Sequence, residues 1–114
     1  MAFDGNEGTF VPLADTKRWT KNYRDANPGV DTIRAHFYGR DKLQQLLDQS
    51  GSAGIRIYHG INDEGKQVLV LLAAKQDENN ILPSNENEVV ANDSGLVLEV
   101  AWPCPPYCPP DNGL

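Results

Sequence analysis

The spacing of apolar side chains predicts two helices in the first half of the chain. Residues 13–26 form the first, in which Trp19 and Tyr23 lie four residues apart and so share one face that can bury aromatic area. The sequence Asn27-Pro28-Gly29 predicts its end, because proline disfavours helical backbone in the preceding residue and glycine permits a reversal. Residues 40–49 form the second predicted helix. Its apolar stripe consists of Leu43, Leu46 and Leu47.

Alternating and continuous apolar patterns predict four strands. Residues 33–38 are apolar at odd-numbered positions and polar at even-numbered ones, as in a strand with one covered face. Residues 54–61 and 66–74 flank the turn Asn62-Asp63-Glu64-Gly65, which predicts a β-hairpin. The return strand is apolar on both faces, so we expect it to lie centrally in the sheet. Residues 96–102 form the last predicted strand, which we expect Pro103 to end.

These elements predict a single α+β domain: a small, mainly antiparallel sheet with two helices packed on one face. We expect an N-terminal arm at residues 1–11, the domain at residues 12–102 and a tail at residues 103–114. The arm begins with polar, glycine-rich sequence, and five of the eight residues 103–110 are proline. Because proline lacks a backbone donor, the tail is predicted to be an extended strip that does not continue the sheet.

Four segments follow one another along the chain: RWTKNYRDANP, AHFYGRDKLQQLL, GIRIYHGINDEGKQVLVLL and the CPPYC tail. In this order they resemble a family of small uncharacterised bacterial proteins of similar length, and the resemblance covers about residues 12–108. In that family a strand of GIRIY type leads through a DxxG turn into an apolar strand, and a CPxxC-like tail closes the chain. This chain departs from it at residues 73–78, where AAKQDE replaces a turn with glycine and aspartate. The resemblance implies one compact domain and carries over no activity.

Charge is unevenly distributed along the 114 residues. The net charge is −6, and all ten lysines and arginines lie at or before Lys75. Residues 76–114 contain seven acidic residues and no basic one, whereas nucleic-acid binding needs a basic surface. We therefore expect no nucleic-acid partner. The acidic third is either a solvated loop surface or a surface that complements the less acidic part of a second copy.

Neither a membrane span nor a secretory signal is predicted. The longest apolar run, residues 68–74, is much shorter than the ~20 residues that a spanning helix needs. The N-terminal sequence MAFDGNEGTF lacks the basic and apolar regions of a signal peptide. These absences predict a cytoplasmic protein, with export by a non-classical route left open.

Cys104 and Cys108 are the only cysteines. Their spacing differs from the C-x-x-C of thioredoxin-like motifs, but it permits a disulfide that closes a five-residue loop. A cytoplasmic location would instead favour free thiols. A zinc site would require further ligands, which gives the set Cys104, Cys108, His36 and His59. We favour the disulfide and expect no cofactor.

Polar and aromatic residues on the predicted strands and tail suggest an interaction surface, since tyrosine and arginine are favoured at contact hot spots. The candidates are Arg34, His36, Tyr38, Arg56, Tyr58, Trp102 and Tyr107. A solvated sheet face with ordinary cross-strand pairs would show the same pattern. The tail, with its two aromatic residues, either covers a sheet edge or docks on a partner.

No catalytic motif is recognisable: the sequence has neither a G-x-S-x-G elbow nor a glycine-rich phosphate loop. We therefore expect a non-enzymatic structural or interaction protein that self-associates into a homo-oligomer or a larger assembly. One alternative is a small metal- or thiol-dependent protein that uses Cys104 and Cys108, with His36 and His59. The other is a small-ligand-binding module on the Tyr/Arg/His sheet face.

Overall fold

The computed structural model describes residues 2–87, 95–110 and 114. These residues form two helices and five strands in antiparallel sheets, which confirms the α+β class. Along the chain the elements are α1 (Leu13–Ala26), β1 (Ala35–Phe37), α2 (Arg40–Leu47), β2 (Ser52–Ile61), β3 (Gln67–Lys75), β4 (Val97–Leu98) and β5 (Trp102–Cys104). Parts of the predicted arm, loop and tail, at residue 1, residues 88–94 and residues 111–113, lie outside the described residues.

The chain divides into two units, each with its own sheet. The sheet unit comprises Met1–Glu7 and Tyr38–Ala101 and contains β2, β3, β4 and α2. The ribbon unit comprises Gly8–Phe37 and Trp102–Leu114 and contains α1, β1 and β5. The predicted single sheet is therefore corrected to two sheets, because the strand expected at the end of the chain is divided between them.

Both predicted helices are confirmed. The first has the predicted bounds, and it follows Pro12, whose extended backbone (φ −63°, ψ 140°) suits a residue just before a helix. The second ends at Leu47, two residues earlier than expected. Its apolar stripe is narrower than predicted, since Leu46 is 1% exposed whereas Leu47 is 44% exposed.

The sheet unit has its core around β3, which lies between β2 and β4 as predicted for a strand apolar on both faces. The helix α2 packs against β2 and β3. At the hairpin turn Gly65 has a φ of 79°, a conformation that glycine adopts without steric cost. The buried side chains of the unit are Leu46, Leu71, Leu72, Ala73, Ala74 and Ile81.

The ribbon unit pairs β1 with β5, so that His36 lies opposite Pro103. The prediction that residue 103 ends the last strand is wrong: Pro103 lies within β5. A two-stranded ribbon has only edge strands, where a residue without a backbone donor is tolerated. The predicted strand 96–102 is interrupted instead at Val100, whose φ of 64° is incompatible with a strand.

Two predictions about burial in the ribbon unit are also wrong. In β1, Ala35 and Phe37 are exposed whereas His36 is half-buried, so the apolar positions are not the covered ones. The helix α1 has no buried residue, and its Trp19 is 54% exposed. Within the described part of the chain, no helix combines the length and hydrophobicity needed to cross a membrane.

Candidate functional site

The central strand β3 is paired on both of its sides. On the side that faces away from β2, which we call the closed edge of β3, β4 pairs with Leu71 and Leu72. On either side of β4, other groups satisfy the backbone of β3 at three points. The bonds run from Tyr38 Oη to Leu69 O (2.5 Å), from Ile81 N to Ala73 O (2.9 Å) and from Lys75 N to Asn79 O (2.8 Å).

The outer edge of β2 is open, since no described segment pairs with it. The carbonyls of Leu69 and Ala73 point away from β2. In an antiparallel ladder, two residues that lie opposite each other either both direct their backbone groups toward the other strand or both direct them away from it. The β2 residues opposite Leu69 and Ala73 therefore direct their N–H and C=O groups away from β3. Because the direction alternates along a strand, every second residue of β2 does the same. The outward-facing residues are Ile55, Ile57, His59 and Ile61. No backbone hydrogen bond from a described residue reaches these groups.

The open edge carries exposed apolar side chains. Ile57 is 54% exposed, Tyr58 43% and Ile61 78%. Edge strands of proteins that stay monomeric usually carry lysine, proline or a bulge. The irregularity of β2 lies at its start, between Ser52 and Gly54, and residues 57–61 contain neither lysine nor proline. This stretch therefore lacks the common features that prevent strand addition.

A polar cluster lies beside the same strand and unites two of the predicted surface residues. Arg56 Nη1 donates to Asn80 Oδ1 (2.6 Å) and to the Glu78 carbonyl (3.0 Å), and Asn80 Nδ2 donates to Tyr58 Oη (2.8 Å). The Arg56 guanidinium also lies 5.3 Å from the centre of the Phe3 ring. The hydrogen bond from Asn80, with a smaller effect of Arg56, lowers the pKa of Tyr58.

Tyr38 has a different role from the predicted one. Its hydroxyl closes the edge of β3, and its side chain is half-buried. Burial, with a smaller contribution from the negative charge of Glu99, raises its pKa. A tyrosine that bonds the sheet backbone is a structural residue of the closed edge.

A cavity of about 290 Å³ lies between the N-terminal arm and the start of β2. Its lining consists of Phe3, Gly5, Glu7, Ala53, Gly54, Ile55, Arg56 and Ala74. Arg56 is the cation in this lining, and its guanidinium already bonds Asn80 and the Glu78 carbonyl. The small-ligand alternative, which the sequence places on the Tyr/Arg/His sheet face, stays a prediction.

The ribbon unit unites a second group of predicted residues. Cys104 and Cys108 form the expected disulfide, with their Cα atoms 4.7 Å apart. The rings of Trp102 and Tyr107 pack with centroids 4.8 Å apart. Arg34 Nη2 lies 3.6 Å from Cys108 Sγ. His36 lies on β1 in the same unit.

The described residues contain no cluster of three or more histidine, cysteine or acidic side chains that could hold a metal ion. In the zinc set, both sulfurs are joined to each other, whereas zinc binds the thiolate form of cysteine. His59 lies on the open strand β2 in the sheet unit.

Two contributors to the sheet-unit cluster, Phe3 and Asn80, were missed by sequence reasoning. Phe3 lies in the predicted arm, and its N–H donates to Gln76 O (2.8 Å). Asn80 follows Asn79 in what reads as a turn, and a bridge to Ala74 places it beside β3. Only the fold brings these positions together, so the local sequence held no signal for either.

Comparisons with known proteins add no family to this picture. No family model, no curated protein and no solved structure matches the chain. The resemblance to small bacterial proteins stays a prediction, and an assignment of function rests on the contacts described above.

Proposed function

We propose that the protein is a non-enzymatic interaction protein that self-associates, and that two copies meet along the open edge of β2. The observation that carries this proposal is the difference between the side of β3 that faces away from β2 and the outer edge of β2. The edge of β3 is satisfied by β4 and three further hydrogen bonds, whereas the outward groups of β2 have no described backbone partner. An unpaired, apolar edge strand is the template for strand addition.

A second copy is the occupant that fits this edge best, because β2 is complementary to itself. In an antiparallel pair with Tyr58 on the two-fold axis, Ile57 lies opposite His59 of the second copy and Ile55 lies opposite its Ile61. This register uses all four outward-facing residues in hydrogen-bonded pairs. If the two-fold axis lies half a residue or more away from Tyr58, at least one of the four residues has no hydrogen-bonded partner in the second copy.

Side-chain size and charge favour the same arrangement. Arg56 faces Gly60 of the second copy, so no like charge lies directly opposite it. The turn with Asp63 and Glu64 then lies beside the start of the neighbouring β2. A Cβ at Gly51 would contact the side chain of Lys75 at 3.7 Å, so the Lys75 stem reaches that end of β2. The acidic turn of one copy and the basic end of β2 in the other are therefore complementary in charge.

Sedimentation equilibrium tests the proposal over a wide range of protein concentration. We expect the wild type to associate reversibly. His59→Pro removes an outward-facing N–H and is expected to weaken association by at least about tenfold, since proline blocks pairing at an edge. His59→Thr removes the same imidazole but keeps the N–H and suits a strand, so it is the matched control.

Circular dichroism and thermal melting establish that both variants are folded before association is compared. A wild type that stays monomeric at the highest concentration contradicts the proposed function. If the wild type associates and the two His59 variants weaken association equally, self-association is retained as a proposal but the β2 edge is ruled out as its site.

A further inference from the structure

The two sulfurs of the Cys104–Cys108 disulfide lie in different environments. Cys104 ends β5 and is 8% exposed, whereas Cys108 is exposed. Between them the chain reverses through a turn in which Tyr107 N donates to Pro103 O (2.9 Å) and Cys108 N donates to Pro106 O (3.0 Å). An external reagent can therefore approach the sulfur of Cys108 more readily than that of Cys104.

Arg34 forms a hydrogen bond with each of the two cysteines. Its backbone N–H donates to Cys104 O (2.7 Å), and its guanidinium Nη2 lies 3.6 Å from Cys108 Sγ. The backbone bond fixes Arg34 beside the end of β5, and from there its guanidinium reaches the sulfur of Cys108. After reduction, a neighbouring cation favours the thiolate of Cys108, while burial of Cys104 favours its neutral thiol.

We propose that Cys104 and Cys108 form a thiol–disulfide exchange site, in which Cys108 reacts with external thiols and disulfides and Cys104 is the resolving cysteine. An exposed cysteine beside a cation, linked to a buried partner cysteine, is an arrangement that favours such exchange. The substrates are low-molecular-mass thiols and disulfides, or accessible cysteines of a protein partner. The site does not depend on self-association along β2.

The exchange balances without another reactant. In the reduced protein the Cys108 thiolate attacks one sulfur of a disulfide R–S–S–R, forms a mixed disulfide and releases RS⁻, which takes up a proton. Cys104 then loses its proton and attacks Cys108 Sγ, which re-forms the intramolecular disulfide and releases the second RS⁻. The protein dithiol is oxidised, and the external disulfide is reduced to two thiols. The reverse sequence reduces the protein at the expense of two thiols.

Single-cysteine variants separate the two sulfurs. Cys104→Ser leaves only Cys108 and Cys108→Ser leaves only Cys104, and each is incubated with oxidised glutathione while intact mass follows mixed-disulfide formation. We expect Cys108 to react at least about tenfold faster near neutral pH, because it is exposed and lies beside a cation. Its rate should also level off at a lower pH than that of Cys104.

The contribution of Arg34 is measured in the Cys104→Ser background. Arg34→Gln is expected to slow the reaction of Cys108 at neutral pH by about threefold or more, and Arg34→Lys is expected to restore part of the rate. Arg18→Gln is the matched control, because Arg18 lies in the same unit but bonds Asp15. Circular dichroism confirms that the compared variants are folded.

Two results would overturn the assignment. One is an equal rate for the two single-cysteine variants, which would show that the sulfurs do not differ in reactivity. The other is an Arg34→Gln rate that matches the Arg18→Gln rate, which would remove the guanidinium from the site. Neither result bears on the oligomeric state, so failure here is distinguishable from failure of the proposed self-association.

Discussion

The two units of this chain are stabilised in different ways. The sheet unit buries apolar side chains of α2 and β3, including Leu46, Leu71 and Leu72. In the described part of the ribbon unit, Cys104 is the only buried apolar residue, and a disulfide joins it to Cys108. A small segment without a core of its own depends on covalent closure. The comparison teaches that one chain can use apolar burial in one region and a covalent link in another.

The largest expected effect tests the apolar core. Leu46→Ala should lower the free energy of unfolding of the sheet unit by about 2–5 kcal/mol, because it leaves a cavity where a side chain is 1% exposed. Leu47→Ala is the adjacent control, and it should cost less than about 1 kcal/mol since that side chain is 44% exposed. Urea denaturation followed by far-UV circular dichroism measures both. Equal losses would contradict the core described for α2.

The next effect tests the covalent link. The double variant Cys104→Ser/Cys108→Ser should destabilise the ribbon by up to about 2 kcal/mol, the chain-entropy value for a five-residue loop. The prolines already restrict the unfolded tail, so the measured loss should fall below that value. Amide hydrogen exchange should increase in β1, with no change in β3. Unchanged exchange in β1 would show that the ribbon is held by something other than the disulfide.

Sequence reasoning succeeded where one local pattern determines one element. The stop at Asn27-Pro28-Gly29 and the turn at residues 62–65 both have direct steric causes, and the helix and the hairpin they bound were predicted. It failed at Val100, because no local pattern announces a valine with a φ of 64°. That one residue divides a predicted strand and assigns its last part to the other sheet.

The candidate site was predictable only in part. The disulfide follows from spacing, and Arg56 and Tyr58 share a strand face by alternation. The closed edge of β3 could not be foreseen, since Tyr38 reaches Leu69 across 31 residues of sequence. The open edge of β2 was equally unpredictable, because it depends on which segments lie beside β2, and no described segment pairs with its outer side.

A smaller effect tests the closed edge itself. Tyr38→Phe removes the hydroxyl that donates to Leu69 O, and it should lower the free energy of unfolding by about 1 kcal/mol. The folded-state pKa of Tyr38 is raised by burial and by Glu99, so ionisation opposes folding. The stability that this residue contributes is complete below the unfolded pKa of 10.0 and is lost as pH rises through the folded value.

Urea denaturation of wild type and Tyr38→Phe across alkaline pH measures this contribution. The difference in unfolding free energy should stay constant to about pH 9 and then decrease. A difference that grows with pH would contradict the raised pKa.

The smallest effect concerns charge at the open edge. Glu64→Lys should weaken self-association by no more than about fivefold, because exposed ion pairs contribute little. Asp77 lies near Lys75 and partly offsets its positive charge, which further reduces the effect of Glu64→Lys on self-association. Lys75→Glu should weaken association similarly, and the double variant should restore it. Sedimentation equilibrium at low salt measures all three, and additive weakening in the double variant would contradict the antiparallel arrangement.

The most direct test of the central claim is oxidative trapping of two copies at Tyr58. In a Cys104→Ser/Cys108→Ser background, Tyr58→Cys places a thiol on the proposed two-fold axis, where opposed Cα atoms lie about 4.5 Å apart, within disulfide range. Ile61→Cys is the control, since Ile61 is 78% exposed but would lie far from Ile61 of the second copy in this arrangement. We expect a covalent dimer with Tyr58→Cys and almost none with Ile61→Cys under mild oxidation. Equal trapping of the two variants, or no trapping of Tyr58→Cys, would contradict pairing along β2.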